Sequence, residues 1–184
     1  MSPNHPRHIP APAPSNMGSW TKVTTRLGDF HVAQAGGSIV QTALPGTETH
    51  DFLRGLLERH PSLDFREDTN DPLLQRAARQ LSEYTRGERR DFDLPVRPEG
   101  TAFQTRVWRA LAAIPFGEVR SYGDIAKEIG RPGASRAVGQ ANHNNPVAPI
   151  IPCHRVVTSS GTLGGYGGGM DLKRELLKHE GVDL

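Results

Sequence analysis

The chain has 184 residues, enough to bury a core without covalent staples as one compact domain or two small ones. A mean hydropathy of −0.52 and the lack of any apolar run of about 18 residues exclude a membrane-spanning helix. The single cysteine excludes an internal disulfide framework and a cysteine-cluster metal site. Lys and Arg number 22 against 20 Asp and Glu, a net charge of +2 that by itself identifies no nucleic-acid partner.

Met1 to Ser19 carries Pro3, Pro6, Pro10, Pro12 and Pro14 and few large apolar side chains, which predicts a disordered tail over 1–19. It holds no apolar h-region, so a secretory signal is not expected. With one unpaired cysteine, the expectation is a soluble protein of a reducing compartment, the cytoplasm. Trp20–Arg26, Asp29–Ala35 and Ser38–Leu44 are strand-like runs split by Leu27-Gly28 and Gly36-Gly37, as in a small antiparallel sheet. Glu48–His60 is helix-like, with Phe52, Leu56 and Leu57 on one face and Pro61 as the stop. Asp71–Thr85 repeats Leu73, Leu74, Ala77, Ala78, Leu81 and Tyr84 at helical spacing, with Gly87 beyond its end. Arg86 to Gly100 is polar and proline-bearing. It reads as a connection, with an N-terminal lobe over 20–90 and a linker over 91–100.

The C-terminal domain, 101–184, is mostly helical in pattern. Thr101 and Gln104 form a capping box ahead of Phe103, Val107, Trp108, Leu111 and Ile114. Ser121 and Asp124 form a second, opening a short helix to Ile129. A turn over Gly130–Ala134 leads to a helix from Arg136 to His143, with Ser135 expected as its cap. Asn145–Pro152 is apolar and predicted extended, and Ser159–Gly169 is a glycine-rich loop. Asp171 is expected to cap a last helix ending near Glu180. The predicted class is α+β: a small N-terminal lobe with an antiparallel sheet and helices, and a mostly helical C-terminal lobe with a helix-turn-helix and an active-site loop.

Tyr122–Ile129 and Arg136–His143 across a glycine-containing turn have helix-turn-helix form. Ala137, Gly139 and Ala141 keep the second helix slim enough to approach even the roughly 6 Å-wide minor groove, with Arg136 in its first turn. An ordinary helical hairpin packed through small residues has the same pattern. No acidic residue lies between Glu128 and Asp171, while Arg131, Arg136 and Arg155 do. A phosphate-facing surface requires this, and a buried glycine-rich segment also shows it. A lone cysteine such as Cys153 is commonly a buried small hydrophobe. Against that stand the adjacent His154 and Arg155, which favour a thiolate; Pro152, which fixes the chain's approach; and the glycine-rich loop, which leaves room for a ligand. A thiol of pKa ~8.5 is mostly protonated at neutrality and needs a base. In an extended segment Cys153 and His154 point to opposite sides. A bridging water and an orienting carboxylate are therefore expected, with Glu180 the candidate and a solvated helix-end glutamate the alternative.

The run Ile151-Pro152-Cys153-His154-Arg155-Val156 resembles the active-site signature of the O6-alkylguanine-DNA alkyltransferases, the methylated-DNA–protein-cysteine methyltransferase family. The likeness spans Gly100 to Gly181. It includes Gly100-Thr101-Ala102-Phe103-Gln104, Val107-Trp108, Gly117-Glu118-Val119, Ser121-Tyr122-Gly123, Arg136-Ala137-Val138-Gly139, Asn145-Pro146, Gly164-Gly165-Tyr166, Gly168-Gly169, Lys173 and Glu180-Gly181. The N-terminal lobe is similar only in outline.

The resemblance implies DNA repair by stoichiometric transfer of the alkyl group of O6-alkylguanine, and of O4-alkylthymine, to Cys153, with self-inactivation. It implies double-stranded DNA as partner and no cofactor; a monomer is the simplest expectation, in a cytoplasmic, nucleoid-associated setting. The DNA-binding residues would be Ser121, Tyr122, Arg136, Ala137, Gly139 and Ala141. Arg136 would fill the stack behind a rotated nucleotide, and Tyr122 would push the phosphate and donate to the flipped base. Asn145 would support the turn, and Cys153, a water, His154 and Glu180 would form the proton relay. The carbonyls of Cys153 and Val156 would accept from the guanine amine, with Tyr166, Gly167, Ala148 and Lys173 also at the pocket. Gly167 stands where many relatives have serine, and Ala148 where some have proline. Some relatives hold zinc partly through cysteines of the N-terminal lobe. Here that lobe has none, and His5, His8, His31, His50 and His60 lack ligand spacing, so no metal is expected. Competing readings are an alkylated-DNA-binding protein without transfer, where relatives carry tryptophan for the cysteine; a helix-turn-helix regulator; and a Cys-His hydrolase.

Overall fold

The computed structural model describes residues 16–184. The tail expectation therefore lies outside the described residues over 1–15. It is too long at its other end, since Met17 to Ser19 belong to the first strand.

Strands β1 (Met17–Thr25), β2 (Gly28–Ala35) and β3 (Ser38–Ala43) form an antiparallel meander. Gly36 and Gly37, at φ +57 and +74, supply the left-handed pair that a tight hairpin between β2 and β3 requires. Helix α1 (Thr49–Arg59) is followed by β4 (Asp64–Glu67), which pairs parallel to β1 and gives the order β3-β2-β1-β4. The sheet is thus mixed, where an antiparallel one was expected. The segment Asp64-Phe65-Arg66-Glu67 carries three charges in four residues and has no apolar alternation to announce a strand.

Both faces of the sheet are covered, as strand alternation dictates. Trp20, Ala33, Ala35 and Val40 meet Phe52 and Leu56 of α1. Val23, Phe30, Val32 and Ile39 meet Leu74, Ala77 and Leu81 of α2 (Pro72–Thr85). The Asp71 carboxylate caps α2 by accepting from the Leu73 and Leu74 amides.

The stretch read as a linker is held to the N-terminal part by hydrogen bonds. Ile39 N–H donates to Pro95 O and Arg97 N–H to Ile39 O, adding Val96 as a bridge on the β3 edge. Gln80 exchanges two hydrogen bonds with the Asp93 backbone.

The C-terminal part holds α3 (Ala102–Ala112), α4 (Tyr122–Glu128), α5 (Ser135–His143) and α6 (Met170–His179). Two short strands, β5 (Arg120–Ser121) and β6 (Val156–Val157), pair in parallel. Both predicted capping boxes form: Thr101 with Gln104 on α3, and Ser121 with Asp124 on α4. Two other predicted caps do not. Ala134 occupies the cap of α5, and Ser135 is already inside that helix. Gly169 at φ +85 opens α6, leaving Asp171 in the first turn, where its charge complements the positive helix end. Residues 146–150, expected extended, run instead as consecutive turns.

The two parts share one core, in which Val32 and Leu81 cluster with Trp108, Leu111, Val138 and Cys153. They are also stitched by backbone. Thr42 N–H donates to Pro146 O, and the Thr42 hydroxyl donates to the carbonyl of buried Ala148 at 2.5 Å. Among the described residues no helix is long and apolar enough to cross a membrane.

Candidate active site

Cys153-His154-Arg155 forms a single 3-10 turn rather than the extended segment expected. The turn lies between the residue 146–150 turns and β6, and all three side chains are buried. Asn145 fixes the approach: its amide donates to Ile151 O at 2.8 Å, and its carbonyl accepts from the Val147 N–H. Asn142, on α5, donates to Cys153 O at 3.2 Å. Thus α5 and the turn carrying the thiol are mechanically joined.

Glu180 caps the end of α6, and its carboxylate is fully buried. Its Oε1 accepts from His154 Nε2 at 2.8 Å, Arg155 Nη2 at 2.9 Å and the Tyr84 hydroxyl at 2.6 Å. Its Oε2 accepts from Arg155 Nε at 2.8 Å and Gly117 N–H at 3.3 Å. Burial opposes the charge, yet the hydrogen bonds from His154 and Arg155 outweigh it and hold the carboxyl well below the usual range. The solvated-glutamate alternative is therefore excluded. Gly117 sits at φ +78, and a Cβ there would lie 3.1 Å from Glu180 O, so glycine is needed to bring its N–H to the carboxylate.

Burial pulls the His154 imidazole below its ordinary value, against the raising effect of Glu180. A neutral ring whose Nε2–H donates to Glu180 has its lone pair on Nδ1. That Nδ1 is buried and has no hydrogen-bond partner in the protein, so no direct bond joins it to Cys153. The Cys153 thiol is pushed up by burial, with Asn145 and the Lys173 charge pulling the other way. At neutral pH the thiol therefore keeps its proton unless a base receives it.

Lys173, expected at the pocket, is completely buried and has no carboxylate partner. Its ammonium donates to Val156 O at 2.6 Å, to Leu163 O, and to Gly165 O at 3.4 Å. It ties the glycine-rich loop to the residues just after the thiol. Burial lowers it to about 8. The Tyr166 ring lies edge-on 6.5 Å from His154, and its hydroxyl is buried without a protein partner.

Between α4, α5 and the glycine-rich loop lies a cavity of about 520 Å³, lined by Tyr122, Ser135, Arg136, Gly139, His143 and Gly164 among others. Tyr122 lines the wall, and burial, with a Cys153 thiolate as the lesser cause, raises its phenol. Gly164, at φ +63, faces the Tyr122 ring, and a Cβ there would sit 3.0 Å from it. Arg136 and Ala137 are exposed on α5. Ala141 is not, being 2 % exposed with its carbonyl accepting from Trp108 Nε1 at 2.8 Å. It follows Ala137 by about one helical turn and packs into the core cluster. Ala148 likewise lies in the core, and Gly167 is exposed with open space where a Cβ would stand. The Cys153 carbonyl already accepts from Asn142 and from the Val156 N–H, and the Val156 carbonyl accepts from Lys173.

The residue that the sequence reading missed is Tyr84. Its helical spacing marked it as a core aromatic, and nothing local to α2 signals a carboxylate 96 positions away. Among the described residues, no group of three or more His, Cys, Asp or Glu is placed to hold a metal ion.

Comparison with known proteins covers nearly the whole described chain. Residues 19–98 match the 6-O-methylguanine DNA methyltransferase ribonuclease-like domain, and residues 102–182 match the DNA binding domain of the same enzyme. The methylated-DNA–protein-cysteine methyltransferase of Methanosarcina barkeri is 50% identical over 139 residues, 76% of this chain and 87% of that protein. That of Methanosarcina acetivorans is 55% identical over 112 residues, 61% of this chain and 72% of its own. The crystal structure of Mycobacterium tuberculosis OGT in complex with DNA aligns at TM-score 0.75 and 40% identity, covering 88% of this chain and 92% of that one. With the thiol, imidazole and carboxylate brought together beside a helix-turn-helix, these likenesses show that the chain belongs to the O6-methylguanine-DNA methyltransferase family.

Proposed function

We propose that this protein repairs DNA by taking the alkyl group from O6 of guanine, and from O4 of thymine, onto Cys153. One observation carries the reading: the buried Cys153 turn is flanked by a neutral His154 whose free Nδ1 has no protein partner and whose Nε2 is anchored on ionised Glu180. Family membership supports the substrate class, and the structure of the mycobacterial relative with DNA supports DNA as partner.

In the proposed reaction a water carries the thiol proton to His154 Nδ1, and Glu180 stabilises the imidazolium. Sulfur attacks the alkyl carbon, a C–S bond forms and the C–O6 bond breaks. The electron pair passes to the guanine, which takes a proton from the Tyr122 hydroxyl as its charge develops, and the Tyr122 oxygen regains a proton through water as the His154 imidazolium gives up the one it received. The product is a thioether with no carbonyl for water to attack, so each molecule reacts once. The protein acts as a monomer in the cytoplasm, with α5 of its domain 101–184 in the minor groove. Ser121, Ala137 and Gly139 meet the backbone, and Arg136 replaces the nucleotide rotated into the cavity beside Tyr122. Tyr166 and Gly167 line the base's position. Lys173 holds that wall rather than touching substrate.

Duplex DNA with a labelled O6-methyl group tests this. The expected result is one label per chain, bound covalently, and none on Cys153→Ala, which still binds the duplex. Release of methyl as a small soluble product over many turnovers would contradict it.

A further inference from the structure

We infer that Tyr84, on α2 of the N-terminal lobe, is a positioning residue of the proton relay: its hydroxyl, donated to Glu180 Oε1, sets how strongly that carboxylate draws on His154. The inference rests on the alkyl-transfer reading and adds to it a residue from the other half of the molecule.

The geometry is specific. The Tyr84 hydroxyl lies 2.6 Å from the same oxygen, Oε1, that accepts from His154 Nε2 at 2.8 Å. It lies 3.5 Å from His154 Nε2 itself. The side chain is completely buried. Its ring is held by Phe92 at 5.2 Å, Phe116 at 6.3 Å and His179 at 5.2 Å. His179 also bonds the Tyr84 carbonyl at 2.6 Å. A core aromatic needs only the ring, whereas this one delivers its hydroxyl to the buried Glu180 carboxylate. Burial, with Glu180 beside it, pushes the phenol well above its ordinary value, so it stays a donor throughout the working pH range.

A carboxylate oxygen divides its charge among its donors. Arg155 cannot be spared from that set, since its removal leaves Glu180 buried without its cation. Tyr84 can, because Arg155, Gly117 and His154 remain. Without the phenol, Oε1 pulls harder on His154 Nε2–H, and Nδ1 becomes more basic. The other groups facing the imidazole are Arg155 on its own turn, Lys173 on α6, Tyr166 on the loop and the Cys153 thiol. None of them changes in a Tyr84→Phe protein. Transfer requires the neutral imidazole, so a more basic His154 is lost to protonation at higher pH.

The test is the single-turnover rate of methyl transfer from an O6-methylguanine duplex to the full-length chain, between about pH 5 and pH 9. Tyr84→Phe is expected to move the acid-side midpoint upward by about half a pH unit or more. Phe92→Leu, which loosens the packing of the Tyr84 ring but keeps its hydroxyl, is expected to melt earlier with an unshifted midpoint. Replacing Tyr84 with 3-fluorotyrosine, a stronger donor of the same shape, is expected to move the midpoint down. It decides the matter alone if Tyr84→Phe does not fold. An unchanged midpoint in both hydroxyl variants, or shifts of the opposite sign, overturns the inference. A wild-type protein that takes no methyl overturns the alkyl-transfer reading instead.

Discussion

Glu180 and Arg155 illustrate how strongly single residues are committed at this site. The carboxylate and guanidinium meet through two hydrogen bonds of 2.8 and 2.9 Å with both side chains buried. Breaking such a pair leaves an uncompensated buried charge. Glu180→Gln is therefore expected to lose about 3 kcal/mol of stability and to slow transfer, as read by urea unfolding and single-turnover rates. Unchanged stability would mean the pair is not buried in solution. Gly164→Ala forces φ +63 on an L-residue and presses a Cβ against Tyr122. It is expected to cost about 1–2 kcal/mol and to impair base entry, whereas Gly167→Ser meets open space and should fold normally. At this scale Cys153, His154 and Glu180 were legible from one short motif and a helix end. Tyr84 was not, because an aromatic at core spacing looks the same whether or not its hydroxyl has a charged partner.

At the scale of elements, side-chain chemistry was legible where it is local and lost where tertiary contacts decide. The two capping boxes were readable because both partners lie within one turn. Ser121→Ala is accordingly expected to cost about 1 kcal/mol, while Ser135→Ala, whose hydroxyl makes no cap bond, should change stability by less than about 0.5 kcal/mol. Equal losses in urea unfolding would contradict the cap assignment. Strand β4 escaped notice since its pairing with β1 is a backbone match in a charged segment. The hydrogen bonds that hold the linker to Ile39 lie on a strand edge, which no local pattern reveals.

At the scale of the molecule, the two halves share a core and a relay, so they should unfold together. His31, His60 and His154 are all buried, and burial lowers each below its ordinary value. The unfolded chain binds protons on these rings that the native state does not, so stability present above about pH 6.5 is lost as the pH falls. Glu180, held low in the native state, adds a further loss below about pH 4.5. Urea unfolding is expected to show about 1–3 kcal/mol less stability at pH 5.5 than at pH 7.5, in one transition common to fluorescence and circular dichroism. A stability that rises on acidification would contradict the buried neutral histidines.

The most direct measurement is the intact mass and peptide map of the protein after incubation with a duplex carrying O6-methylguanine. The account predicts one added methyl group, on the peptide containing Cys153, with unmodified guanine left in the DNA. A methyl group on any other residue, or a protein of unchanged mass beside demethylated DNA, would contradict it.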